Sequence, residues 1–83
     1  MKLKLFTQPS CPNCPNAKQL CEKLENKGIN VEYHDIKTEE GLAEALFFNV
    51  MSTPSIIVVK DGDEIKSWRG TTPSIQEVLE WLK

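Results

Sequence analysis

Leu3, Leu5 and Phe6 crowd a short segment that Pro9 ends, and residues 2–7 therefore read as a strand. From Pro12 to about Lys27 the spacing changes to helical, with Ala17, Leu20, Cys21 and Leu24 on one side and Gly28 placed to close the segment. Asn30 to Ile36 alternates again: Val31, Tyr33 and Asp35 share one face, and Glu32, His34 and Ile36 the other. Thr38 then caps a second helix, with Glu39 and Glu40 in the first turn where the dipole favours them. Leu42, Ala45 and Leu46 are its expected buried side and Asn49 its expected end.

Ser55 to Lys60 carries four consecutive β-branched residues, the mark of a strand covered on both faces. Asp61-Gly62 supplies a tight hairpin turn into a strand from Asp63 to Arg69, which Gly70 breaks. Ser74-Ile75-Gln76-Glu77 fits a capping box, and Ile75, Val78, Leu79 and Leu82 are the inward positions of a last helix. The order is β-α-β-α-β-β-α. A helix crosses between the first two strands, so they are parallel; the last two form an antiparallel hairpin. A four-stranded mixed sheet with helices on both faces is the economical α/β architecture, and residues 1–83 form one domain.

Composition narrows the function. The chain has 83 residues, 27% of them charged, with a formal net charge of −2 and both signs interspersed. That balance argues against nucleic acid as a partner. No apolar run approaches a membrane span, and no signal-peptide core follows Met1, so a cytoplasmic protein with no membrane partner is expected. Three cysteines, an odd number, do not suit a structural disulfide framework; closely spaced cysteines in the cytosol are more often catalytic or metal-binding.

Cys11-Pro12-Asn13-Cys14 carries the chemistry. Two cysteines one helical turn apart present side chains roughly 5–6 Å from each other, within reach of a disulfide. Cys11 falls at or just before the N-cap, where free N–H groups of Asn13 and Cys14 and the positive end of the helix dipole favour a thiolate. Cys14, one turn in, is the natural resolving thiol. Pro12 fits the first helical position, whereas Pro15 removes a further donor and loosens the first turn. The alternative is half of a zinc site completed by Cys21 or His34, a metal-binding module using Cys11, Cys14 and Cys21. Cys21, beside Leu20 and Leu24, reads more simply as core filler.

Further motifs follow in order. Leu5 to Cys14, Ala17 to Leu24, Asp35-Ile36, and Phe48-Asn49-Val50-Met51-Ser52-Thr53-Pro54 together resemble the thioredoxin superfamily, most closely its short glutaredoxin-like members. The resemblance implies a thioredoxin-like fold and a redox-active Cys11–Cys14 disulfide serving as a thiol–disulfide oxidoreductase. It further implies a cis Thr53-Pro54 bond beside that pair, an exposed Cys11 and a buried Cys14. The backbone of Thr53 would pair with an extended substrate, flanked by Pro12 and Asn13. X-Pro bonds are cis in only about 5–6% of folded cases, so the residues alone do not favour that isomer.

Departures bear on the partner. Leu5 stands where thioredoxins keep a buried aspartate, and Asn13 where glutaredoxins usually carry a ring. Trp68-Arg69-Gly70-Thr71-Thr72-Pro73 is similar to a segment of the glutaredoxin-like electron donors of ribonucleotide reductase. The expected protein is a monomer without bound cofactor, fed by an upstream disulfide reductase and acting on disulfide-containing proteins, ribonucleotide reductase among them. A glutathione-dependent glutaredoxin, with glutathione as reductant, is the neighbouring alternative.

Overall fold

The computed structural model describes residues 1–82. Its elements are β1 (Lys2–Thr7), α1 (Cys14–Asn26), β2 (Val31–Asp35), α2 (Glu39–Phe47), β3 (Ser55–Lys60), β4 (Asp63–Arg69) and α3 (Ile75–Trp81). The sheet order is β2-β1-β3-β4, with β1 parallel to β2 and antiparallel to β3. The α/β architecture is the one the residue pattern predicts. Asp61 and Gly62 both take positive φ, 54° and 86°, as a two-residue hairpin turn with the right twist requires.

The two sheet faces carry separate cores. Leu3, Leu5, Ile56 and Val58 meet Ala17, Leu20, Cys21 and Leu24 of α1 and Val78 of α3. Phe6, Ile57 and Val59 meet Ala45 of α2 and the following Phe48 and Val50. β3 contributes to both, which explains its unbroken apolar run. Half of the capping box forms: Ser74 Oγ accepts from the Glu77 N–H at 3.2 Å, while the Glu77 carboxylate lies 3.4 Å from the Ser74 hydroxyl instead of taking its backbone N–H.

Two readings need correction. The buried side of α2 is Gly41 and Ala45, while Leu42 and Leu46 are 48% and 64% exposed. Gly41 determines this face: a Cβ there would lie 1.8 Å from the Asp35 carbonyl oxygen, so only glycine lets the helix sit this close to the end of β2. Counting apolar side chains favoured the leucines; backbone approach selected the small residues.

The second correction concerns α1, which begins at Cys14 rather than Pro12, with Asn13 in the N-cap position. Pro12 precedes the helix, and Pro15 occupies its first turn, where a missing donor has no intrahelical partner to lose.

Candidate functional site

β1 and β3 pair so that Phe6 lies opposite Ser55. The chain leaving β1 through Gln8 to Asn13 therefore adjoins the chain entering β3 through Asn49 to Pro54. The cysteines sit in the first of these loops and Thr53-Pro54 in the second. Cys11 and Cys14 are joined as a disulfide with Cα atoms 5.4 Å apart. Cys11 is half-buried, less open than the exposed position the resemblance implies, and Cys14 is only 3% exposed, buried as that resemblance implies. Pro12 and Asn13 stand out in solvent between them.

The N-terminal donors are fewer than the sequence pattern suggests. The Cys14 N–H points back to the Cys11 carbonyl at 3.4 Å, closing a turn, so it does not serve the Cys11 sulfur. Pro12 and Pro15 have no donor to offer. Of residues 12–15, Asn13 alone keeps an N–H outside that turn hydrogen bond. Ser10, just before Cys11, adopts a φ of 65°, a left-handed conformation costing a non-glycine residue about 1–2 kcal/mol. This turn brings the chain from the end of β1 round to the helix mouth, and nothing in the sequence singled it out.

The Thr53–Pro54 peptide bond is cis, and the Pro54 side chain is fully buried. Several polar ties hold this second loop. Ser55 Oγ donates to the Ser52 carbonyl at 2.7 Å, and the Gly70 N–H donates to the Pro54 carbonyl at 2.9 Å. Gly70 takes a φ of 75°, and a Cβ on it would crowd Ser52 Oγ at 3.2 Å. Arg69 donates to the Phe48 carbonyl at 2.7 Å while pairing with both carboxylate oxygens of Glu64. The Gln8 side-chain amide donates to Thr53 Oγ1 at 2.9 Å, tying the two loops together. Gln8 and Arg69 escaped the sequence reading because their partners Thr53 and Phe48 lie 45 and 21 positions away and follow no period. Trp68 packs against the α1 and α3 core with Lys66 over its ring, a structural placement.

Cys21 belongs elsewhere. It lies on the stripe of α1 that also carries Cys14, Ala17 and Leu24, but two helical turns further in, about 10 Å along the axis. That distance keeps it from sharing an ion with the disulfide pair. Burial, and secondarily the charge of Glu25, pushes its thiol up to about 12. Glu32, His34 and Glu44 do approach one another closely enough to share a cation. Lys4 already fills that place, however, with its ammonium 2.7 Å from Glu32 and paired with Glu44. Lys2 and then Lys4 hold the Glu32 carboxyl down at about 2. His34 packs its ring on Phe6, with centroids 5.2 Å apart. An open groove of about 550 Å³ beside α1, lined by Thr7, Lys18, Glu22 and Tyr33 among others, includes no cysteine.

Comparison with known proteins bears on the family and the fold. The family described as "Thioredoxin domain" matches residues 1–83. A thioredoxin from Methanocaldococcus jannaschii is 36% identical over 86 residues, covering 100% of this chain and 93% of that protein. A probable thioredoxin from Archaeoglobus fulgidus is 37% identical over 57 residues, covering 68% of this chain but only 63% of the relative, less than two thirds of its length. Among solved structures, thioredoxin 1 of Thermosipho africanus superposes with a TM-score of 0.81 at 24% identity, over 99% of this chain and 90% of that one.

Proposed function

This chain belongs to the thioredoxin family and is a dithiol thiol–disulfide oxidoreductase, and from that premise we propose that it reduces disulfides in other proteins. The observation that supports this reading is the Cys11–Cys14 disulfide at the mouth of α1, adjoining the Thr53-Pro54 loop. In the reduced protein the Cys11 thiolate attacks one sulfur of a substrate disulfide. A bond forms between Cys11 and that sulfur, and the substrate's other sulfur leaves as a thiolate that takes up a proton. Cys14 then loses its proton and attacks the Cys11 sulfur, closing the intramolecular disulfide and releasing the second substrate thiol. Two electrons and two protons pass to the substrate. An upstream disulfide reductase returns them, and no bound cofactor enters the cycle.

Burial supports a division of roles. Cys11 is the more open sulfur and acts as nucleophile; Cys14, nearly buried, resolves. Pro12 and Asn13 form the exposed rim beside them. The backbone of Thr53, next to Pro54, receives an extended segment of substrate by strand addition. Disulfide-containing proteins are the substrates, with ribonucleotide reductase a member of the class to assay, and a monomer in the cytoplasm is the working form. Among the described residues no helix is long and apolar enough to cross a membrane.

The test offers the oxidised protein two donor systems, a protein disulfide reductase with NADPH and glutathione with glutathione reductase. Reduction of a protein disulfide driven by the first is expected. Turnover confined to glutathione mixed disulfides would overturn the substrate assignment and favour a glutaredoxin.

A further inference from the structure

Most of the ties on the loop entering β3 run within it or to β4: Ser55 to Ser52, Gly70 to Pro54 and Arg69 to Phe48. Among the described residues, one hydrogen bond joins it to the cysteine loop, from Gln8 Nε2 to Thr53 Oγ1 at 2.9 Å. It spans 45 positions of sequence, and both side chains are half-buried, where water competes less for the pair. Gln8 lies on the same short connection as Cys11, separated from it by Pro9 and by Ser10 with its left-handed backbone. The amide thus spans from the loop that holds the attacking sulfur to the residue whose backbone faces the substrate.

We propose that Gln8 is a positioning residue: by holding the Thr53 hydroxyl it sets the distance and register between the substrate-docking edge and the Cys11 sulfur. This rests on the reading of Thr53 as that edge. Disulfide exchange needs the attacking sulfur in line with the bond it breaks, and small displacements of a bound reactant are costly. A peptide paired with Thr53 inherits the position of that backbone. A small disulfide does not pair with it and is insensitive to the tie. Gln8 therefore discriminates by substrate class without touching the reacting atoms.

The experiment measures kcat and KM for a cystine-bridged peptide and for hydroxyethyl disulfide, using wild type, Gln8→Ala, Thr53→Val and the double variant. Gln8→Ala is expected to lower the peptide-to-small-disulfide ratio of kcat/KM about five-fold, the worth of one such hydrogen bond, chiefly through kcat, because the bound peptide is then misaligned with the sulfur. In the Thr53→Val background the same change adds nothing, whereas in Thr53→Ser, which keeps the hydroxyl, it acts as in wild type. Equal slowing of both substrates, or full additivity with Thr53→Val, would overturn the proposal. A peptide N-methylated where it would pair with Thr53 separates the two readings. If methylation leaves wild-type KM unchanged, the docking edge itself is wrong; if methylation raises KM and Gln8→Ala leaves the peptide kcat/KM unchanged, only the role of Gln8 fails.

Discussion

The mouth of α1 and its interior carry the same residue in different chemical states. Cys14 and Cys21 lie two turns apart on one buried stripe of one helix, and both are nearly or wholly inaccessible. Cys14 faces Cys11 across a turn outside the helix and joins it in a disulfide. Cys21 faces Leu3, Leu5 and Leu24 in the core, and burial pushes its thiol up to about 12. Sulfur reactivity here is a property of position: the loop end supplies a partner and access, and the helix interior supplies neither.

Substitution of each sulfur separates the two regions most sharply. Cys11→Ser is expected to abolish protein disulfide reduction, a fall of at least about a thousandfold set by loss of the attacking thiolate. Cys21→Ala keeps turnover within a factor of about two and loses stability by about 1 kcal/mol through the small cavity it leaves, measured by urea unfolding. Strong loss of activity in Cys21→Ala would break the comparison. Alkylation of the reduced native protein sharpens it. With its thiol at about 12 instead of 9.0, Cys21 holds roughly a thousandfold less thiolate at neutral pH, and peptide mapping should find it unlabelled until the fold opens.

How far this contrast was legible in the sequence depends on the residue. Cys11 and Cys14 announced themselves through spacing, and Cys21 through its place beside Leu20 and Leu24 in a helical period. The strands and helices were legible for the same reason, since period two and period 3.6 are local signals. Leu42 and Leu46 misled because the orientation of α2 is fixed by Gly41 against the Asp35 carbonyl at the end of β2, a close backbone approach that hydrophobicity does not encode. The start of α1 shifted because two prolines compete for one helix terminus. Gln8 and Arg69 work through single long-range hydrogen bonds, which leave no pattern in one chain.

A second contrast, between the two sheet faces, gives smaller effects. The α1 face is apolar throughout, whereas the α2 face encloses Lys4 between Glu32 and Glu44. Burial alone would lower the Lys4 pKa, but the two carboxylates more than offset it and hold it above its usual value. Lys4→Ala removes the cation and leaves the carboxylates facing each other. A loss of about 2–3 kcal/mol in unfolding free energy is expected, with activity retained in the folded fraction.

Acid gives the smallest effect. Glu32 titrates lower in the folded protein than its ordinary value of 4.5, at about 2, so its ion pairs favour the fold above about pH 4.5 and lose that contribution as pH falls toward 2. Because its side chain is 35% exposed, solvent screening limits the contribution to about 1 kcal/mol. Glu32→Gln should flatten stability against pH in that window and leave the disulfide chemistry unchanged; an unaltered acid limb would remove Glu32 from the account.

The central claim, that exchange chemistry belongs to the helix mouth with Cys11 attacking and Cys14 resolving, is tested most directly by trapping. Reduced Cys14→Ser protein is mixed with a disulfide-bonded protein substrate, and the adduct is mapped by mass spectrometry. The account predicts a stable mixed disulfide on Cys11, with Cys21 still a free thiol. An adduct on Cys21, or complete substrate reduction with no trapped species, would contradict it.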